Sequence, residues 1–275
     1  MRRTLANKAV ISGTGLHKGK PSTITFMPVA GATGIRFLKP DLTAPIKASL
    51  QNIATTVRGT NLSDGARMVY TVEHVLSACA GLGIDDVDIA LEGEEPPAAD
   101  GSALPFAKAL KSAGFNDKPA QEREILRLGN PVEYVSGTVF YRAKASERPY
   151  FKMTFANSHP LIGVQTFDIF LTPESFLFEI APARTFGFKS EIAELKASGL
   201  ALGGSLDNAI ILDDKTILNP KGSMRFANEF ARHKLLDLIG DLALLGLRMD
   251  KISVEAVYTS HKTNAIFASM LAEQQ

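Results

Sequence analysis

Hydrophobic and polar positions alternate in short runs over the first ninety residues. Ala9-Val10-Ile11-Ser12 and Ser22-Thr23-Ile24-Thr25-Phe26 read as strands around a glycine-rich turn at 13–19. Residues 34–38 and 88–91 read as further strands. Between them, 71–80 turns helical, with Thr71 as the expected N-cap and Gly81-Leu82-Gly83 as the stop. Asp100-Gly101-Ser102 introduces a second helix at 103–113, with Pro105 in its first turn.

The polar run Gln121-Glu122-Arg123-Glu124 follows Pro119 and marks an expected boundary between domains 1–120 and 125–275. Beyond it, strands are expected near 131–134, 138–144, 151–155 and 166–171. A helix follows at 189–197, then a long helix from about Asn228 to Leu245 and a strand at 252–258. The halves echo each other. Glu73-His74-Val75-Leu76 and His233-Lys234-Leu235-Leu236 each stand on a helix that runs into a glycine break and then a strand. The echo hints at a duplication, with two similar α+β layers facing each other.

The long helix carries the strongest chemistry. His233, Asp237 and Asp241 stand four apart, so at about 100° per residue they climb one stripe. The same helix holds Leu235, Leu236, Leu238, Ile239, Leu242, Leu244 and Leu245, so it is apolar nearly all round and expected to be buried. Buried imidazole and carboxylate groups need partners, and a metal ion is one.

Composition narrows the classes. The 275 residues are 45% hydrophobic and 21% charged, which is globular rather than disordered. Thirty Lys and Arg balance 29 Asp and Glu, for a net charge of +1, which disfavours a protein that works by gripping nucleic acid. One cysteine, Cys79, excludes an internal disulfide and a cysteine zinc site, and points to a reducing compartment. No apolar run is long enough for a signal sequence or a membrane span, so any membrane contact is expected to be peripheral.

Zinc hydrolases commonly use three protein ligands and keep a fourth position for water. His233 and Asp237 offer two. Of the five histidines, His74 is the best third donor because it holds the matching place in the other half. Glu73 beside it is a candidate general base. The plainer alternative for Glu73-His74 is a helix start whose first-turn acid meets the macrodipole. His261 follows a strand end in a polar turn, His159 is read as structural, and His17 is not taken as a ligand. Cys79 lies about 140° round the helix from His74 and is no rival ligand.

Several motifs together resemble the UDP-3-O-acyl-N-acetylglucosamine deacetylases, the zinc enzymes of lipid A biosynthesis. They are Gly15-Leu16-His17-Lys18-Gly19, Thr71-Val72-Glu73-His74, Ala80–Asp85, Asp100-Gly101-Ser102-Ala103, Ala183–Phe188, Leu202-Gly203-Gly204-Ser205, and Arg225-Phe226 with the 232–241 run. The resemblance covers nearly the whole chain. It implies an α+β fold of two similar domains, each a mainly antiparallel sheet with helices on one face, the helices packed together between the sheets.

By position, the resemblance makes His74, His233 and Asp237 ligands of Zn2+ and Glu73 the general base. It makes His261 the protonated histidine, Asp241 its acidic partner and Thr185 an oxyanion-stabilising hydroxyl. Lys234 and Phe186 fall where the family contacts its sugar nucleotide. Phe188, Ile192, Ala201, Ser205, Ala209 and Ile211 fall where an insert over 187–211 lines a passage for the acyl chain; the plainer alternative for its apolar residues is simple core. The implied substrate is an acylated UDP-sugar, and the leaving amine takes its proton from His261 or from Glu73. A cytoplasmic monomer working near the inner membrane surface is expected. Ser260 stands where the family usually has glycine. The family's substrate lysine near 135–144 is replaced by Thr138 or Val139, with Arg142 and Lys144 nearby. Two rival readings are a zinc amidohydrolase for another acylated amino sugar and a non-catalytic RNA-associated module.

Overall fold

The computed structural model describes residues 1–40, 44–220 and 224–275. Alternation in the sequence becomes alternation in space. Along the strand Pro21–Met27, Ser22, Ile24 and Phe26 are buried while their neighbours are not, as a pleated strand with one covered face requires.

Two five-stranded sheets organise the chain. The first runs in the order Ala9–Thr14, Pro21–Met27, Val87–Glu92, Ile35–Leu38, Ile46–Lys47. The second runs Val132–Ser136, Val139–Ala145, Ile252–Val257, Tyr150–Asn157, Gly163–Phe170. Numbered along the chain, the order in each sheet is first, second, fifth, third, fourth. In both, the third and fifth strands pair parallel and the other neighbours antiparallel. Each sheet also has a helix before its fifth strand and another after it: Glu73–Gly81 and Leu104–Ala113 in the first half, Glu229–Leu242 and His261–Ala272 in the second. The echo read in the sequence is therefore a repeated topology, and the fold is α+β with mainly antiparallel sheets.

The helices meet in the middle. Glu73–Gly81 packs on Glu229–Leu242, which packs in turn on His261–Ala272 and on the strand Tyr150–Asn157. The Glu229–Leu242 helix buries twelve of its residues, including His233, Asp237 and Asp241. A buried helix of this kind has no solvent face on which to place its charges.

Several expectations need correction. Thr71 does not cap the first helix. It sits in the left-handed region at φ 55°, donates its N–H to Asn61 Oδ1 at 2.9 Å, and the helix begins at Glu73 with no side-chain cap. The helix expected at 189–197 is a 3₁₀ turn, Lys189–Glu191, followed by Ile192–Ala197. The long helix ends at Leu242 and tightens into a 3₁₀ turn at Ala243–Leu245, closed by left-handed Gly246. The segment after the last strand is no surface turn. Ser260 accepts from the Thr263 N–H and Thr263 answers through its hydroxyl, which starts the terminal helix at His261.

Candidate metal centre and acyl cavity

Ligand geometry begins with the two central helices. His74 is the second residue of one, and His233 and Asp237 stand one turn apart on the other. Among the described residues these three are the one group of His, Cys, Asp or Glu side chains arranged to share an ion, with ligand atoms within 4.8 Å of one another. Asp237 Oδ1 lies 3.4 Å from His233 Nε2 and 3.6 Å from His74 Nε2. The two rings stand perpendicular at 5.0 Å. Cys79 is buried and belongs to no such group, and burial pushes its thiol up to about 12.

The residues fit a metal on three counts. Asp237 Oδ1 is buried without a hydrogen-bond partner among the described residues, and an orphaned carboxylate oxygen is costly unless a cation meets it. His233 Nδ1 faces the Ala183 carbonyl at 3.1 Å, so it carries the proton and leaves Nε2 free as a ligand. Burial pushes the His233 ring down to about 3, so it stays neutral, as a metal ligand must. Burial works against the Asp237 carboxylate, but the polar and charged groups around it, the Lys234 ammonium at 2.9 Å among them, hold it well below its usual range. The Ala183 carbonyl is itself fixed, because Glu229 accepts from the Arg184 N–H at 3.0 Å and from its guanidinium at 2.8 and 3.1 Å.

A second chain of groups leads to the same point. His261 Nε2 lies 3.9 Å from Glu73 Oε1, and His261 Nδ1 lies 2.9 Å from Asp241 Oδ2. Burial alone would lower His261, but the carboxylates of Asp241 and Glu73 raise it to about 10. Burial likewise raises the Glu73 carboxyl above its ordinary value. Both groups are raised above their ordinary values, Glu73 by burial and His261 by the carboxylates around it, and facing titratable groups so perturbed mark a candidate functional pair. Asp241 is fully engaged: Asn264 Nδ2 donates to Oδ2 at 2.8 Å and Thr60 Oγ1 to Oδ1 at 2.5 Å. The Thr60 N–H donates to Glu73 Oε2 at 2.8 Å, and the Tyr141 hydroxyl donates to Asn264 Oδ1 at 2.6 Å.

Thr60, Asn264 and Tyr141 were not legible in the sequence. None lies in a motif, and Thr60 meets Asp241 across 181 residues of chain. Ser260 introduces no strain in place of glycine, because its φ of −145° is extended backbone.

These groups open into a cavity of about 610 Å³. Every residue expected along the passage lines it: Phe188, Ile192, Ala201, Ser205, Ala209 and Ile211. Thr185, Phe186 and Lys234 line it as well, beside Glu73, His74, His233, Asp237 and His261. Phe188, Ile192 and Ile211 are only half-buried, whereas Ile210 turns into the core. Phe188 and Ile211 reach the cavity from a parallel strand pair, Phe186–Phe188 with Ile210–Leu212. Phe186 is held edge-on to Phe230 at 4.8 Å, and Lys234 Nζ stands 5.6 Å from the Phe186 ring centre. Arg142 and Lys144 do not line the cavity. Arg142 pairs with Glu133 at 3.1 Å, and the cations on the cavity wall are Arg58, Lys196, Lys234 and Lys262.

Comparison with known proteins shows the family. A protein of an Anaeromyxobacter species is 41% identical over 273 residues, covering 99% of this chain and 89% of the relative. One from a Nitratiruptor species is 40% identical over 273 residues, covering 99% and 91%. One from Campylobacter hominis is 42% identical over 243 residues, covering 88% and 82%. Each is named UDP-3-O-acyl-N-acetylglucosamine deacetylase. The sequence profile of LpxC, UDP-3-O-acyl N-acetylglycosamine deacetylase, matches residues 2–273. With the match running from end to end and the His–His–Asp cluster at its centre, this chain belongs to the UDP-3-O-acyl N-acetylglycosamine deacetylase family.

Proposed function

We propose that this chain removes the N-acetyl group of a UDP-3-O-(3-hydroxyacyl)-N-acetylglucosamine, giving the free amine and acetate, as the lipid A deacetylase of its cell. The observation that carries the reading is the convergence of the His74, His233 and Asp237 donors with the Glu73–His261 pair on the wall of one partly apolar cavity. Two imidazoles and one carboxylate suit zinc with a coordination position left open. When bound, the ion supplies Lewis acidity and an acidified water at that position.

The chain's own groups do the proton work. Glu73, raised by burial, takes the proton of the attacking water. His261, kept charged by Asp241, faces the negative charge that develops on the acetyl oxygen, together with the Thr185 hydroxyl. The departing amine takes its proton from this same Glu73–His261 pair. Lys234 and Phe186 meet the sugar nucleotide. The insert over 187–211 receives the acyl chain, where each buried CH₂ contributes up to about 0.8 kcal/mol.

The reading includes two domains divided near 121–124, supported by the repeated strand order on either side. It also includes a cytoplasmic monomer that meets the membrane surface only peripherally. No helix among the described residues is long and apolar enough to cross a membrane, and the substrate's fatty chain favours work beside one.

A deacetylation assay with metal stripped and then restored tests the reading. Activity should vanish on stripping, return with zinc, and fall steeply as the 3-O-acyl chain is shortened. Full turnover by metal-free protein would overturn it.

A further inference from the structure

Three non-glycine residues on the cavity wall hold left-handed backbone: Thr71 at φ 55° and, sharing one side-chain partner, Arg58 at φ 57° and Ala201 at φ 52°. Such a conformation is strained for an L-residue and persists only where neighbours enforce it. Arg58 and Ala201 are 143 positions apart, one in each half, and one side chain bonds to both. His17 Nε2 lies 3.0 Å from the Arg58 carbonyl. His17 Nδ1 accepts the Ala201 N–H at 3.3 Å.

The partners fix the tautomer. A carbonyl can only accept, so Nε2 carries the proton; a backbone N–H can only donate, so Nδ1 is bare. Burial lowers the ring's proton affinity, which favours this neutral form. The backbone completes the joint. The His17 carbonyl accepts the Leu202 N–H at 3.1 Å and the Leu16 carbonyl the Gly203 N–H at 3.0 Å. Gly203 comes so near that a Cβ on it would lie 2.1 Å from the Gly15 carbonyl oxygen. Glu95 holds the turn from behind, accepting the His17 N–H at 3.1 Å and the Lys18 N–H at 2.6 Å. Arg58 also reaches the insert, pairing with Glu191 at 2.9 Å.

We propose that His17 is a positioning residue for acyl selectivity: its ring bolts the 201–203 segment to the first half of the chain in the conformation that sets Ala201 on the wall of the passage. The proposal rests on the reading of 187–211 as the acyl passage. It assigns His17 no contact with the reacting amide. Without the ring, Ala201 loses the bond that holds it left-handed and the wall beside it relaxes. The part of the substrate that should notice is the far end of the acyl chain, not the sugar nucleotide.

The test compares wild type, His17→Ala and His17→Asn on substrates with a long and a very short 3-O-acyl group, with amide exchange of Ala201, Leu202 and Gly203 as a second readout. In His17→Ala the KM for the long-chain substrate should rise about tenfold with kcat little changed, while the short-chain KM stays put. The three amides should exchange about tenfold faster. His17→Asn should recover most of both effects, because its amide oxygen stands near the place of Nδ1 and can accept from Ala201. Equal losses on both substrates would mark a contact with the shared sugar nucleotide and overturn the proposal, as would unchanged exchange. A wild type indifferent to chain length overturns the passage as well. A discriminating wild type beside an equally discriminating His17→Ala overturns only the part given to His17.

Discussion

Gly240 and Glu73 touch through their backbones: a Cβ on Gly240 would lie 2.1 Å from the Glu73 carbonyl oxygen. The two helices that carry the candidate metal donors therefore approach as closely as main chains allow. That approach brings His74, near the start of one, within reach of His233 and Asp237 on the other. A larger residue at 240 must push the helices apart, and the obstacle is backbone that cannot rotate away.

Gly240→Ala should accordingly destabilise the fold by about 1–3 kcal/mol, as overpacking does. It should also weaken zinc binding, because the His74 donor moves with its helix. Thermal unfolding and metal titration of the purified variant check both. Wild-type metal affinity in a destabilised variant would separate packing from the site.

Metal content should sort the histidines by role. His233→Ala should lose both zinc and activity. His261→Ala should keep its zinc, since its ring bonds Asp241 and faces Glu73 rather than the ligand cluster, and lose most turnover. Elemental analysis beside the deacetylation rate makes the distinction, and a His261→Ala protein stripped of metal would reverse the assignment.

Activity should trace a bell against pH, with macroscopic values belonging to the Glu73–His261 pair. The acid limb reports loss of the proton from Glu73 and lies above the ordinary carboxylate range, because burial raises that group. The alkaline limb reports His261, held up at about 10. Asp241→Asn removes a carboxylate that raises His261, so the alkaline limb should move to lower pH while the acid limb moves less. The His261–Asp241 contact also stabilises the fold. A histidine raised above its unfolded value of 6.5 gives its full contribution below that pH and loses it as pH climbs through about 10. Denaturation midpoints at pH 6 and pH 10 should therefore differ more in wild type than in Asp241→Asn.

Thr60→Val removes the hydroxyl that donates to Asp241 while keeping the N–H that donates to Glu73. Turnover should fall about 10–100-fold, the usual effect of losing an outer partner of a catalytic group. Zinc content should not change. A variant with wild-type kcat would show that Asn264 alone keeps Asp241 in place.

The clustering of the candidate metal donors was legible because they obey helical spacing and sit in matching places of a repeated pattern. Four-residue steps put His233 and Asp237 on one stripe, and the two glycine breaks after His74 and His233 flagged the repeat. The surroundings of that centre were not legible, for reasons that differ by residue. Thr60 and Tyr141 act through contacts with parts of the chain more than a hundred residues away, which no local pattern records. The terminal helix was hidden by its own first turn. His261-Lys262-Thr263-Asn264 is weak in helix propensity, and its Ser260–Thr263 box lacks the Glu or Gln that usually announces one. Thr71 misled because a good capping residue was instead bent into the left-handed region, where its N–H meets Asn61.

The repeated strand order has a consequence for how this enzyme can fail. On the proposed function, ownership of the ion is divided: one copy of the motif lends a single imidazole and the base, the other lends the remaining donors and the charged histidine. A severed half, however well it folded, would therefore be a scaffold without a reaction. Proteolysis between the copies need not touch any working side chain to silence the protein; letting the copies drift apart is enough.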